Sequence, residues 1–269
     1  TGGLNGCFWI HLVNVLPNGD LLIENLYDTG KIKVPQVQMS IEPDLVYPLL
    51  RGRDVQRWKA DPSDHIILVQ DPKTRSGISE NVMRLEYPKL YTYLKKFEKQ
   101  LLRRSSSSIR RLMESGPFYS MFAVGTYTMS PYKVIFKDLT EVFQCAVVGP
   151  SLDKNFGQKP ILPDITLRLV ECESENEAHF VAALLNSHPS LTTLHASSVG
   201  VQTQRYHPSD IQKIKLPKYD SANPLHNQLV ELSKRCHKAA ASGDTSSVAQ
   251  LESEIDKSAA QLWDITEDE

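Results

Sequence analysis

Between residues 89 and 111 the chain carries Lys89, Lys95, Lys96, Lys99, Arg103, Arg104, Arg110 and Arg111 against a single acid, Glu98. Ammonium and guanidinium groups at this density, interleaved with serines, can replace the counterions condensed on a phosphate backbone, and an ordinary solvated helix face is the alternative reading of the same residues. The formal net charge of the whole chain is −2, which taken alone disfavours such a partner. The distribution points the other way. Residues 244–269 hold Asp244, Glu252, Glu254, Asp256, Asp264, Glu267, Asp268 and Glu269 against Lys257 alone, so the average conceals a basic face and an acidic end. A second basic cluster, "YPLLRGRDVQRW" at 47–58, sets Arg51, Arg53 and Arg57 between apolar anchors. Its arginines are candidate phosphate contacts. The same spacing also suits a rigid corner, with Leu49 and Leu50 in the core, Gly52 allowing a tight backbone, Asp54 pairing or capping, and Trp58 closing the far side.

Residues for bond-making chemistry are not assembled in the sequence. No glycine-rich loop follows a strand and opens a helix, and no G-x-S-x-G or H-E-x-x-H occurs. "SLDKNF" offers one carboxylate where a calcium loop needs several. Cys7, Cys145, Cys172 and Cys236 lack ligand or redox spacing and fit plain thiols of a reduced, cytoplasmic protein without a metal. The histidines are dispersed, and His226 and His237 are expected on the solvated face of a helix. The chain is therefore expected to contain no catalytic residues and no cofactor of its own. It has no apolar run of the roughly 18–20 residues that a membrane helix needs. It opens on Thr-Gly-Gly without a start methionine or a signal peptide, and is expected to be part of something longer.

The elements that would carry these residues follow from periodicity. "CFWIHLVNVL" reads as a strand, "PNGD" as a turn into a second strand, and "HIILVQ" as a short buried strand ended by Pro72. From Tyr87-Pro88, the stripe Leu90, Leu94, Phe97 and Leu101 predicts one long basic helix, loosened by "RRSSSSIRRL" and ended by Gly116-Pro117. "KVIFKDL", "FQCAVVG" and "ITLRLVEC" read as strands, the last with Ile165, Leu167 and Leu169 on one face. Ser174 opens a helix through a capping box with Glu177, ending at Pro189, and a helical turn starts at Ser209-Asp210. Two stripes, Leu225, Leu229, Leu232, Cys236 and Ala239, then Val248, Leu251, Ile255, Ala259 and Leu262, flank Ser242-Gly243-Asp244-Thr245 and predict an αα-hairpin. The fold class is α+β: a mixed sheet over residues 1–218, a long basic helix, and a C-terminal hairpin over 219–269 that packs on the domain or on a catalytic one.

"GGLNGCFWI", "LVYPLLRGRDVQRW", "YPKLYTYLKKFEKQLLRR", "HFVAALLNS" and "IQKIKLP" occur in an order that resembles the C-terminal target recognition (specificity) domains of bacterial adenine-N6 DNA methyltransferases. These are found in type II and fused type IIG-like restriction–modification enzymes. The closing "EIDKSAAQLWDITEDE" resembles the helix and Leu-aromatic-x-Leu-Thr-Glu ending of such proteins, with Trp263 and Ile265 at the aromatic and aliphatic places. The family's catalytic half has a glycine-containing S-adenosylmethionine motif and an Asn/Asp-Pro-Pro-Tyr/Phe motif, and neither is in this chain. The resemblance thus implies a double-stranded DNA partner and an N-terminal methyltransferase domain of the same polypeptide that binds S-adenosylmethionine, with or without an endonuclease. Seven of the eight basic residues of 89–111, namely Lys95, Lys96, Lys99, Arg103, Arg104, Arg110 and Arg111, become candidates for the DNA backbone together with Arg51, Arg53 and Arg57. Base-reading candidates come from two loop-like segments. "GPFYSMFAVGTYTMSPYK" supplies Tyr119, Ser120, Thr126, Tyr127 and Lys133, and "VGVQTQRYH" supplies Gln202, Gln204, Arg205 and Tyr206. A type I-like specificity subunit acting in trans, or a protein-interaction module without DNA binding, remain as alternatives.

Overall fold

A computed structural model describes residues 1–153, 157–197 and 204–265. They form two compact units that are interleaved along the chain. The first comprises Thr1–Leu49, Pro62–Met129 and Pro150–Leu162, and the second Leu50–Asp61, Ser130–Gly149 and Pro163–Glu269. The class is α+β, as expected. The C-terminal hairpin belongs to the second unit, together with the segments from Leu50, Ser130 and Pro163.

The first unit is built on a six-stranded sheet ordered Leu162–Pro163, Val46–Leu50, Asp64–Ile67, Trp9–Val15, Leu21–Asn25 and Gln38–Ile41. Trp9–Val15 and Leu21–Asn25 form an antiparallel hairpin with a register shift between Leu12 and Asn14. Gly19 turns it with a positive φ of 86°, which favours glycine. Leu21 and Ile23 alternate into the core, whereas Leu22 and Glu24 are only half-buried, the period of two that a one-sided sheet needs. Helices α1 (Glu80–Glu86), α2 (Pro88–Lys95), α3 (Glu98–Leu102) and α4 (Ser107–Glu114) follow. The expected stripe Leu90, Leu94, Phe97 and Leu101 is wholly buried. The single long helix is not formed. Its break at Lys96–Phe97 turns the ring of Phe97, at φ −108° and ψ 6°, into the core, and the serine run separates α3 from α4. The start at Pro88 is held from outside: the Glu42 carboxylate accepts from the free N–H groups of Lys89 (3.0 Å) and Leu90 (2.9 Å).

The second unit has a three-stranded antiparallel sheet in the order Cys145–Val148, Tyr132–Lys137, Leu167–Cys172. Ile165 lies outside the strand and is exposed, so it does not share a face with Leu167. Helix α5 (Glu175–Asn186) is buried from Ala178 to its end and capped by Ser174, whose hydroxyl accepts from Glu177 N–H at 3.2 Å. Pro189 does not end α5. It sits in the first turn of a further helix, α6 (His188–Ser197), where a missing N–H costs nothing. After α7 (Pro208–Lys213) come α8 (Pro224–Ser242) and α9 (Thr245–Trp263), the expected hairpin. Gly243 ends α8 at φ 76°, and Asp244 starts α9 by accepting from Ser247 N–H at 3.0 Å.

"RGRDVQRW" forms the corner of this second unit. Asp54 Oδ2 accepts from Arg51 N–H at 2.8 Å, and a side chain on Gly52 would meet Thr166 Oγ1 at 2.9 Å. Val55–Gln56 and Lys59–Ala60 pair as a minimal hairpin whose turn holds Arg57 and Trp58. Trp58 is buried and donates from its indole N–H to Glu252 Oε1 at 2.6 Å. Arg57 pairs with the same carboxylate and donates to the carbonyl of Asn186 at 2.7 Å. One glutamate therefore neutralises an arginine and satisfies a buried indole. Glu252→Ala leaves the Trp58 indole N–H without an acceptor and Arg57 with only the Asn186 carbonyl, and a loss of about 2–4 kcal/mol is expected from urea unfolding. Glu252→Gln, which keeps an acceptor, should lose clearly less, and equal losses would show that the carboxylate is not the keystone.

His226 is buried and His237 half-buried, so neither lies on a solvated helix face. His226 lies against the ring of Phe180, with centroids 4.4 Å apart, because the apolar stripe of α8 is wider than the heptad positions suggest. His237 accepts from Val147 N–H at Nε2 (2.9 Å) and bonds the Ser233 carbonyl through Nδ1 (2.8 Å), an arrangement that only the neutral ring satisfies. His179 stacks edge-on against it at 4.9 Å and bonds Ser233 Oγ at 3.0 Å. Burial lowers His237 to about 4 and, with help from His237 and Lys234, His179 to about 3. Both values lie below the ordinary 6.5, so the unfolded chain takes up protons first as pH falls. The stability these rings contribute is complete above that value and declines toward pH 4, by about 1.4 kcal/mol per pH unit for each ring. Urea midpoints at pH 7.5 and pH 5 should differ accordingly. His237→Asn, which keeps an acceptor for Val147, should flatten the profile by about one proton.

Candidate nucleic-acid interface

The basic segment 89–111 lies in the first unit, and the fold sorts its cations into three groups. Lys89 forms an ion pair with Asp20, and Lys95 pairs with Glu98 at 2.6 Å, so both are already engaged within the fold. Lys96, Lys99, Arg103, Arg110 and Arg111 are exposed, and no ionic partner is found for them among the described residues. In α4 this arrangement follows from amphipathicity: Ile109 is buried, Leu112 and Met113 are half-buried, and Arg110 and Arg111 are left outside.

Arg104 is the exception. It is 3% exposed and uses its guanidinium as a buried fork. Nε donates to the carbonyl of Leu101 (2.9 Å), Nη1 to that of Ser120 (2.7 Å), and Nη2 to that of Phe118 (2.5 Å). The Leu101 carbonyl belongs to the C-terminal end of α3, where a cation meets the negative end of the helix dipole. Burial lowers this group to about 10, so it stays charged at neutral pH. Arg104 is thus withdrawn from the phosphate-binding set, because every edge of its fork faces protein.

What Arg104 holds is the base of a loop, residues 117–129. Tyr119 and Ser120, expected to read bases, are fully buried in that base: the Tyr119 hydroxyl donates to the Ile78 carbonyl at 2.7 Å, and the Ser120 hydroxyl to the Pro117 carbonyl at 2.8 Å. Thr126 is exposed and Tyr127 half-buried, beyond the same base. A neighbouring turn, 71–77, is tied to this loop by Gln70, which the sequence reading passed over. The buried Gln70 amide donates to the Arg75 carbonyl at 2.6 Å and accepts from Met121 N–H at 2.9 Å. The available signal was the turn composition of "DPKTRSG", which marks a loop without marking its arginine as functional.

The remaining candidates lie in the second unit. Lys133 is buried in its strand, donates to the Ser130 carbonyl, and is lowered to about 8 by burial, so it does not reach outward. Gln204 and Tyr206 are also interior: the Tyr206 hydroxyl donates to Gln204 Oε1 at 2.7 Å, and the Gln204 amide lies 2.9 Å from His195 Nδ1. Strand alternation puts Arg205 between them on the outside, where it bonds Asp138 at 3.0 Å beside Arg168 at 2.9 Å. Gln202 lies outside the described residues. Arg53 is exposed 3.5 Å from Asp54, Arg51 is half-buried at the corner, and Arg57 is committed to Glu252. Among the described residues no three His, Cys, Asp or Glu side chains converge as a metal site, and no helix is long and apolar enough to cross a membrane.

No family model matches the chain. Over 149 residues it is 32% identical to the type II methyltransferase M.NspV of a Nostoc species, a match covering 55% of this chain and 29% of that protein. In fold it is similar to the type IIL restriction–modification enzyme MmeI, solved in complex with DNA, with a TM-score of 0.56. That match covers 82% of this chain and 28% of MmeI at 10% identity, a likeness of fold alone. The chain therefore spans less than a third of the length of either protein. It is related in sequence to a methyltransferase of a restriction–modification system and in fold to a restriction–modification enzyme.

Proposed function

We propose that this relative of a type II methyltransferase is a target recognition domain, which binds duplex DNA and presents a base to a methyltransferase domain. The observation that carries the reading is the set of exposed cations, Lys96, Lys99, Arg103, Arg110 and Arg111, placed in the same unit as a loop pair whose foundations are rigidly hydrogen-bonded. Exposed cations suit phosphates, which need charge more than direction, and stapled loops suit base edges, which need direction. The similarity to MmeI, whose structure was solved with DNA, agrees with this division of labour. The family resemblance extends the proposal to adenine as the methylated base, flipped from the duplex into a pocket of the catalytic domain. S-adenosylmethionine would be held by that domain. The residues of this chain carry no motif for it, and no step of methyl transfer is assigned to them. The decisive measurement is the affinity of the intact chain for a duplex at 50 and 200 mM salt. Target recognition requires a steep loss over that interval, on the order of a thousandfold or more if six or more phosphates are contacted. Salt-insensitive binding, or none, would reject the proposal.

A further inference from the structure

The turn 71–77 has a feature that its role as a connector does not explain. Arg75 takes a left-handed backbone, φ 57°, and Ala123, in the loop 117–129, does the same at φ 59°. Such a conformation is strained for a residue with a Cβ and persists only where the surroundings enforce it. Here they do. Arg75 N–H donates to the Asp71 carbonyl and Asp71 N–H to the Ser76 carbonyl, both at 2.8 Å, while Gln70 anchors the Arg75 carbonyl from below. The same Gln70 amide holds Met121, so one buried side chain fixes both loops.

The side chain of Arg75, by contrast, is exposed, and no acid or carbonyl engages it among the described residues. Its guanidinium stem is nonetheless placed. A Cβ built on Gly125 would lie 3.5 Å from Arg75 Nε and 2.8 Å from Tyr127 Cε1, so the arginine and the aromatic edge flank a notch that only glycine leaves open. Gly125 N–H in turn donates to Thr128 Oγ1 at 3.1 Å.

We infer that Arg75 is a specificity-determining residue that reads a guanine edge, with Gln70 as its positioning residue and Tyr127 beside the base. The inference rests on the target-recognition reading and deepens it. A planar fork matches the O6 and N7 acceptors of guanine in the major groove, and that match depends on direction. A strained backbone, fixed from two sides, supplies direction that a phosphate contact has no use for. Lys99, exposed on α3, and Lys96, exposed in the break before it, show what undirected cations look like in this fold.

The test is selection from a pool of duplexes with a randomised segment, using the intact chain and its Arg75→Ala, Arg75→Lys and Arg75→Gly variants. The intact chain should enrich a motif containing at least one fixed G·C pair. Arg75→Ala should relax that one position by about 5- to 150-fold and leave the others unchanged. Arg75→Lys, which keeps the charge without the fork, should relax it as well. Arg75→Gly relieves the left-handed strain, so its melting temperature should be unchanged or raised while the same position is relaxed, which separates reading from folding. A uniform weakening across all positions would make Arg75 a phosphate contact and overturn the inference. An unchanged motif in Arg75→Ala, or binding by the intact chain without any motif, would overturn it equally. No DNA binding by the intact chain would instead bring down the target-recognition reading itself, and this inference with it.

Discussion

Arg104→Ala is expected to lower the stability of the folded chain by about 3–5 kcal/mol, through stranded buried acceptors together with the void left by the side chain. The loss has an identifiable source. Three carbonyls, those of Leu101, Phe118 and Ser120, converge on one guanidinium that is almost wholly out of water. Alanine leaves the Phe118 and Ser120 carbonyls buried without the guanidinium, leaves Leu101 only the backbone N–H of residue 104 at 3.3 Å, and opens a void of side-chain size; each stranded acceptor costs about 1–3 kcal/mol. Lysine is no remedy, because one ammonium cannot span the three directions of a planar fork. Arg104→Lys should therefore recover only a fraction of the loss. Urea unfolding checks both variants, and a loss under about 1 kcal/mol for alanine would mean that the loop 117–129 keeps its base without Arg104. Thr126 and Tyr127 belong to that loop, so the same variant should also loosen DNA binding, as a consequence of unfolding its foundation.

The combined Arg103→Ala, Arg110→Ala and Arg111→Ala variant should behave in the opposite way. All three side chains are exposed, so stability should move by no more than about 0.5 kcal/mol. DNA affinity should fall by on the order of a hundredfold or more at 0.1 M salt, and the slope of log affinity against log salt should become shallower by about 3, close to one unit per contact removed. The expected effect is uniform across duplex sequences, since phosphates carry no code. A stable variant with an unchanged slope would show that 103–111 does not face DNA. Changing Arg104 together with these three would confuse the two outcomes.

The adjacency of Arg103 and Arg104 marks how far the sequence could be read. Composition identifies both as phosphate candidates. Which of them points inward depends on where α3 ends against residues 117–121, a tertiary fact with no local signature. Features fixed within a few residues were legible: the Gly243-Asp244 junction, the Ser174 cap, the hairpin stripes and the corner made by Asp54 and Trp58. Polar residues in apolar surroundings were not. Tyr119, Ser120, Lys133, Gln204 and Tyr206 look like readers because their groups can hydrogen-bond, and the fold satisfies those groups internally. His226 and His237 were misplaced for the same reason. The loop pair is legible as loops, but the buried Gln70 that links them gives no sign in "HIILVQ" beyond ending a strand.

The interleaving of the two units also constrains how such a chain can change over generations. Each unit is assembled from three stretches of sequence, exchanged at Leu49/Leu50, Asp61/Pro62, Met129/Ser130, Gly149/Pro150 and Leu162/Pro163. A single recombination event between two diverged genes that falls between residues 62 and 149 would therefore give both units cores of mixed parentage. New variants are more accessible through point changes in the turn 71–77 and the loop 117–129, which alter the outer surface and leave the buried pegs Gln70 and Arg104 in place.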